Sequence, residues 1–361
     1  MNTPHSALVV VPRRLGDVLL ATPVMRSLKH AFPGCAIDVL VFTGTQATLS
    51  GNSDVRRVLT IDERSSVSAH FALMGQIFQR YDIALSLVPG DRSTVYAWLA
   101  GHTSIGLVIN ETKHAWKKWL LNHSIPFDNH NTHTIIMHLR VLETLGIPSL
   151  TKVVVSPREE DIRAGHAQLV QHGVSTKYAV LHPYPKFRYK MWHDQGWIEV
   201  AKWLQQRGLQ VVITGSDDAD EFAYCAALAA RTGAKNLAGA LTLLATAAVI
   251  ADAAVYLGPD TVTTHIAAAL GVPTVALFGP GDPLKWGPWP RSHTGLDNPW
   301  RHIGSQAQGN VQIIQGKTIC APCFLEGCDR RIDSASDCLT GLPARRVIDA
   351  LERQLTVLRT N

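Results

Sequence analysis

Gly258–Asp282, GPDTVTTHIAAALGVPTVALFGPGD, reads as turn, helix, strand, turn. Gly258-Pro259 stops the apolar run ADAAVYL, and Asp260 or Thr261 is placed to cap a helix with its body at Thr264 to Leu270. Gly271 ends that helix and Pro273 follows just past it. Pro-Thr-Val-Ala-Leu-Phe is then a short apolar strand, the pattern of a parallel strand covered on both faces. Gly279-Pro280-Gly281-Asp282 closes the unit. A helix N-terminus at the C-terminal end of a buried strand turns free N–H groups and the positive end of the helix dipole outward, which suits an anion. The same residues also describe an ordinary, well-capped α/β connection.

The alternation extends in both directions. Upstream lie a strand at Tyr178–His182, an irregular basic turn at Tyr184–Lys190 and a helix at Trp192–Arg207. The strand LQVVITG, a helix at 216–231, a short edge at 236–239 and a helix at 241–251 follow. At the start of the chain, SALVVVP (6–12), a turn at 13–17, a helix at 18–32 and a strand at Ala36–Phe42 make a complete βαβ unit. Its turn is not G-x-G-x-x-G, so the nicotinamide fingerprint is missing. Further strands read at 55–61, 83–88 and 101–108, and an amphipathic helix at Thr134–Leu145. The boundary falls between about 148 and 178, where SPREEDIRAGHAQLVQHG forms a charged helix. The fold class expected is α/β: two facing Rossmann-like doubly wound domains with an interdomain cleft, 1–170 and 171–342. A last helix at 343–361, with an apolar stripe at Val347, Ile348, Leu351, Leu355 and Leu358, is free to pack back on the first domain.

The chain has 361 residues, 46% hydrophobic and 17% charged, with a net charge of +5, so it suits two globular domains with anionic partners. No apolar run approaches a membrane span, and the N-terminus lacks the apolar core of a signal peptide, so a cytoplasmic protein with at most peripheral membrane contact is expected. Residues 111–133, ETKHAWKKWLLNHSIPFDNHNTH, set Lys113, Lys117 and Lys118 beside Trp116 and Trp119. That mixture suits an anionic lipid headgroup; a solvated loop with one tryptophan packed inward is the alternative. His123, His130, His133 and His138 lack ligand spacing. Cys320, Cys323, Cys328 and Cys338 are spaced C-x2-C-x4-C-x9-C, so four thiolates could hold a structural Zn or Fe ion, or simply form a reduced cysteine-rich loop.

In open α/β sheets the ligand crevice lies outside the C-terminal strand ends. The second half offers HPYPKFRYK, TGSDDADE, Gly239–Thr242 and GPDTVTTH there. Lys186, Arg188 and Lys190 with a helix N-terminus suit a pyrophosphate, and Asp220 or Glu221 could take ribose hydroxyls. In the first half, Asp17 with Arg13 and Arg14 near it is a candidate general base, or a cap on its own helix.

RRLGDVLLATPVMRSLKHAFPGCAIDVLV, then HP…KMW, TGS…DE, GPDT…H…AALG and ALFGPGDP, and finally the cysteine-bearing segment resemble glycosyltransferase family 9, the lipopolysaccharide core heptosyltransferases, in the same order and along essentially the whole chain. LLATPVMRSLK, IDVLVFTGTQATLSGN and KWGPW are most similar to the heptosyltransferase III subfamily. The resemblance implies a GT-B fold and inverting transfer of L-glycero-D-manno-heptose from ADP-heptose to an inner-core sugar, with no cofactor needed for catalysis and no nucleic acid partner. It implies Asp17 as the base and Lys190 as the donor-phosphate ligand. Asp260 would contact the heptose, Thr261, Thr264 and His265 would surround the diphosphate, and Glu221 and Leu241 would lie near ribose and adenine. Arg13, Arg14, Lys113, Lys117 and Lys118 are candidates for the acceptor. Val262 stands where members often carry glycine, and Tyr184, Pro185 and Phe187 where shorter polar residues are common; both bear on the donor pocket. Other readings are a protein-modifying heptosyltransferase with cysteine-bound metal, a sugar-nucleotide epimerase, and a non-catalytic metal- or lipid-binding scaffold.

Overall fold

A computed structural model describes residues 3–357. It divides into two compact units, the first formed by 3–156 with Thr294–Asn298, the second by 157–293 with 299–357.

The first unit runs β1 (Ser6–Val10), α1 (Leu15–Leu19), α2 (Thr22–Ala31), β2 (Ala36–Phe42), β3 (Arg57–Ile61), α3 (Val67–Ile77), β4 (Tyr81–Ser86), α4 (Asp91–Ala100), β5 (Gly101–Val108), α5 (Ala115–Leu120), β6 (His123–Pro126) and α6 (Thr134–Leu139). Its six strands are parallel, in the order β3-β2-β1-β4-β5-β6. The single helix expected at 18–32 is two helices. Pro23 stands in the first turn of α2, where its missing N–H is harmless but continuation from α1 is not possible. The helix expected at Thr134–Leu145 is α-helical only to Leu139 and narrows to 3-10 as far as Leu145. Leu8, Val10, Leu40 and Ala84 of the sheet bury Leu73 and Ile77 of α3 and Tyr96, Ala97 and Ala100 of α4. Leu121, just after α5, lies over Gly106 and Ser86 next to them. The helices α3, α4 and α5 therefore form one layer on one face of this sheet, as right-handed crossovers require.

The second unit runs α7 (Glu159–Gln171), β7 (Tyr178–Leu181), α8 (Asp194–Gln206), β8 (Gln210–Ile213), α9 (Ala219–Thr232), β9 (Lys235–Asn236), α10 (Leu243–Ala251), β10 (Val255–Pro259), α11 (Val262–Leu270), β11 (Thr274–Phe278), α12 (Pro283–Trp286), β12 (Gln306–Gln308), β13 (Val311–Gln315), α13 (Asp337–Thr340) and α14 (Ala344–Val357). Its sheet order is β12-β13-β11-β10-β7-β8-β9, parallel except for β12 against β13. The charged helix α7, expected at the end of the first domain, belongs here. Gly165 lets it approach α10 so closely that a Cβ would lie 3.0 Å from the Ala245 carbonyl oxygen.

The last helix is part of the second unit: Val347, Ile348 and Leu351 of α14 are buried in that unit's own core with Trp197, Leu204, Val275 and Leu277, with Leu355 packed against them. Leu358 lies outside the described residues.

Candidate active site

Each unit carries its candidate functional residues at the point where strand order reverses. In the second unit the chain fills β7, β8 and β9 on one side, then β10, β11 and β13 on the other. β7 and β10 are direct neighbours, with Val255 opposite Ala179, so the turns leaving their C-terminal ends emerge side by side. One turn carries Lys190 and the other Asp260, and the two meet: Lys190 Nζ donates to Asp260 Oδ2 at 2.5 Å and to the Asp260 carbonyl at 3.3 Å. His265 Nε2 lies 3.6 Å from the other carboxylate oxygen. Burial alone would raise the Asp260 carboxyl; the Lys190 ammonium and the His265 imidazole outweigh it and hold Asp260 well below the usual carboxylate range.

The turn itself is built from hydroxyls. Thr261 is the N-cap residue of α11, but its side chain makes no cap bond. Instead Thr264 Oγ1 donates to the Pro259 carbonyl at 2.5 Å, Thr261 and Thr263 hydroxyls pair at 2.9 Å, and the buried Tyr256 hydroxyl lies 2.9 Å from Thr263 Oγ1 and 3.1 Å from Thr264 Oγ1. Burial pushes the Tyr256 phenol up to about 12, so it remains a neutral hydrogen-bonding group. Gly258 is required, because a Cβ there would lie 2.4 Å from the Tyr256 hydroxyl oxygen. With Thr261 not capping, the first turn of α11 keeps backbone N–H groups for an anion, next to the charge-neutral Lys190–Asp260 pair. Gly271 closes the helix with φ 84°, as expected.

The remaining expected donor residues follow along the same edge. Glu221 leaves the turn after β8, next to β7. Its carboxylate bonds the Ser216 hydroxyl beneath Gly215, where a Cβ would lie 3.0 Å from Glu221 Oε1. Burial raises its pKa despite that bond. Leu241 is half-buried after β9, just ahead of Thr242, which caps α10. Two residues were not singled out from sequence: Tyr256, hidden inside an apolar strand, and Thr214. Thr214 Oγ1 lies 3.1 Å from His182 Nδ1, and burial lowers that imidazole to about 4, so His182 is neutral. Lys186 and Arg188 are exposed.

In the first unit strand order reverses between β1 and β4. Asp17 stands just past the end of β1, in the first turn of α1. It is buried, and its carboxylate lies 3.7 Å from Arg13 Nε. The N-cap residue of α1 is Arg14, so Asp17 does not cap its helix. Lys113 pairs with Glu111 at 2.8 Å, and Lys118 donates to Asn110 Oδ1 at 2.9 Å; both remain on the surface. Lys117 is a correction. It is fully buried, its ammonium 2.6 Å from both the Pro89 carbonyl and Asp91 Oδ1, so it fastens α5 to the start of α4 and is not presented to an acceptor.

At 320–338, where the sequence leaves a four-thiolate metal site and a reduced cysteine-rich loop both open, the four cysteines are free thiols. Among the described residues no group of three or more His, Cys, Asp or Glu side chains is disposed to hold a metal ion. Cys328 Sγ accepts the Asp337 N–H at 3.4 Å, Cys320 Sγ lies 3.4 Å from Thr318 Oγ1, and Cys338 is buried under Gly279. Burial, reinforced by the other three cysteines, raises the Cys338 thiol to about 11.

Two doubly wound parallel sheets, each with its polar residues at a switch point, are the architecture of GT-B glycosyltransferases. The fold agrees with that of a glycosyltransferase family 9 protein from Veillonella parvula (TM-score 0.79, 20% identity, 99% of both chains). It also agrees with that of Escherichia coli heptosyltransferase WaaC with ADP (TM-score 0.72, 18% identity, 97% of this chain and 99% of that one). In sequence the chain is 30% identical over 286 residues to lipopolysaccharide heptosyltransferase 3 of Escherichia coli (strain K12), covering 76% of this chain and 82% of that protein. Residues 71–311 match glycosyltransferase family 9 (heptosyltransferase), and the chain belongs to that family. It is a glycosyltransferase, a heptosyltransferase of lipopolysaccharide core biosynthesis.

Proposed function

We propose that the enzyme transfers L-glycero-D-manno-heptose from ADP-heptose to an inner-core sugar of lipopolysaccharide, working in the cytoplasm against the inner membrane surface. The observation that carries the donor assignment is the Lys190–Asp260 pair at the start of α11, where β7 and β10 meet. The reading gives the acceptor to the first unit and the donor to the second. The acceptor hydroxyl oxygen attacks the anomeric carbon from the face opposite ADP. The carbon–oxygen bond to the diphosphate breaks, its electron pair stays on the β-phosphate, and the configuration inverts. Asp17 takes the hydroxyl proton as general base. The Lys190 ammonium and the α11 N–H groups stabilise the charge that develops on departing ADP. Asp260 aims Lys190 and reaches the heptose; Thr261, Thr264 and His265 shape the diphosphate pocket, and Glu221 and Leu241 hold the nucleoside. No catalytic metal is invoked.

ADP release from ADP-heptose, with and without heptose-deficient core, tests this in wild type and Asp17→Ala. Acceptor-dependent release that collapses in the variant is expected. Release that survives would remove Asp17 from the base role, and no release with any core acceptor would overturn the acceptor class.

A further inference from the structure

The large exposed hydrophobic side chains of the first unit are not scattered. Between residues 3 and 156 there are six among those described: Val67, Phe71, Phe78, Trp98, Trp116 and Trp119. All six belong to α3, its C-terminal cap, α4 or α5, the three helices of one layer. On α3 only Leu73 and Ile77 are buried, and Val67, Phe71 and Phe78 recur at helical spacing on the outer side. Phe71 is 69% exposed and Trp119 90% exposed, so nothing among the described residues covers them. An apolar outer face on an already packed helix layer marks a surface that meets something apolar.

Charge narrows the choice. From Arg64 to Trp119 the chain has six Lys and Arg against three Asp and Glu, so more than half of the net charge of +5 falls in this segment. From Arg64 to Arg80, the span containing α3, there is no carboxylate at all. Of the three acids, Asp91 is tied to buried Lys117, Glu111 is paired with Lys113, and Asp82 accepts from the His5 and Ser6 N–H groups. Exposed tryptophans and phenylalanines in a segment that also exposes Arg64, Arg80, Arg92 and Lys118 are the chemistry of a bilayer interface with anionic headgroups.

We infer that the outer face of α3, α4 and α5 is a docking surface for an anionic phospholipid bilayer, with Phe71, Phe78 and Trp119 entering the headgroup region. This rests on the peripheral membrane reading above, and extends it from the basic tryptophan segment to a three-helix face; it does not depend on the transfer chemistry. The test is flotation of the full-length enzyme, without donor or acceptor, on phosphatidylethanolamine vesicles with and without phosphatidylglycerol. The expected result is retention on phosphatidylglycerol vesicles that falls at least about tenfold in Phe71→Ser/Phe78→Ser/Trp119→Ser. Phe222→Ser/Ile332→Ser, at 49% and 53% exposed hydrophobic positions of the second unit, should be retained like wild type. Circular dichroism melts check that the triple variant is folded, and transfer to soluble deacylated core, measured separately, should be unchanged. No retention of wild type, or retention undiminished in the triple variant, overturns the inference. So does concentration-dependent self-association abolished by the triple variant without vesicle retention, which would assign the face to a second copy.

Discussion

Replacing Lys190 by methionine separates a structural ion pair from a catalytic one. The Lys190 and Asp260 side chains are 22% and 11% exposed, so the pair is mostly but not fully withdrawn from water. Breaking a fully buried pair costs about 3–5 kcal/mol; the remaining solvent access and the nearby His265 bring the expected loss here to roughly 2–3 kcal/mol. In a unit of this size that is a fall of about 5–10 °C in melting temperature. The loss should be pH-dependent. Asp260 has a depressed pKa in the folded protein, so its pairing stabilises fully above the unfolded carboxylate value of about 4 and fades as pH falls towards the folded value. The wild-type advantage over Lys190→Met should therefore be widest at neutral pH and close in acid. Adding Asp260→Asn removes the stranded charge and should recover most of the stability, with a coupling above about 1 kcal/mol in the double-mutant cycle. Activity should not recover. One lost charge-assisted bond to the departing diphosphate is worth about 1.5–3 kcal/mol, a roughly 10- to 150-fold fall in kcat/KM for ADP-heptose in both variants. Differential scanning fluorimetry and coupled ADP detection read the two quantities. A coupling below about 0.5 kcal/mol would refute the ion-pair argument, and activity restored along with stability would reduce Lys190 to a purely structural residue.

Asp17→Asn, nearly isosteric, should lower kcat by roughly 10²–10⁴ while leaving the melting temperature within a degree or two; a melting temperature that falls in step with kcat would point to structure instead. Gly258→Ala places a Cβ 2.4 Å from the Tyr256 hydroxyl and should cost about 1–3 kcal/mol, read by urea unfolding. His182 is neutral with a folded value near 4, so as pH falls from about 6.5 only the unfolded chain takes up the proton. Wild type should lose about 3 kcal/mol by pH 4 on this account, and His182→Gln should not. Glu221 has a raised folded pKa, so stability falls as pH rises through it; Glu221→Gln should gain on wild type with increasing pH.

The strands that form the middle of each sheet were legible because parallel central strands are covered on both faces and read as apolar runs; SALVVVP and PTVALF need no partner to be recognised. The edges were not. HSIP and QAQ are short, polar on one side and fixed only by their neighbours, and VQIIQ alternates too briefly to announce a strand. Helix α3 was missed because most of its apolar residues face outward, so its periodicity points to no core. The turn chemistry at 258–265 was legible in residue type, but the Lys190–Asp260 contact spans 70 positions and exists only because β7 and β10 are neighbours. Lys117 misled for a related reason: a lysine between tryptophans reads as surface until its ammonium finds the Pro89 carbonyl and Asp91. The cysteine spacing showed that four sulfurs are near one another in sequence, and could not show that backbone and hydroxyl groups engage two of them.

The margins of the two sheets bear on how the enzyme behaves when concentrated. One sheet ends at β3, whose Arg57 bonds the buried Asp38 carboxylate at 3.0 Å, and at β6, a four-residue strand finishing in Pro126. The other ends in β9, two residues long, and β12, three residues long and antiparallel. A growing intermolecular ladder needs a long, unbroken row of free backbone donors and acceptors, and none of these four borders supplies one. The folded enzyme is thus a poor seed for strand-to-strand polymerisation, and precipitation during expression would report on chains that have not yet completed these sheets.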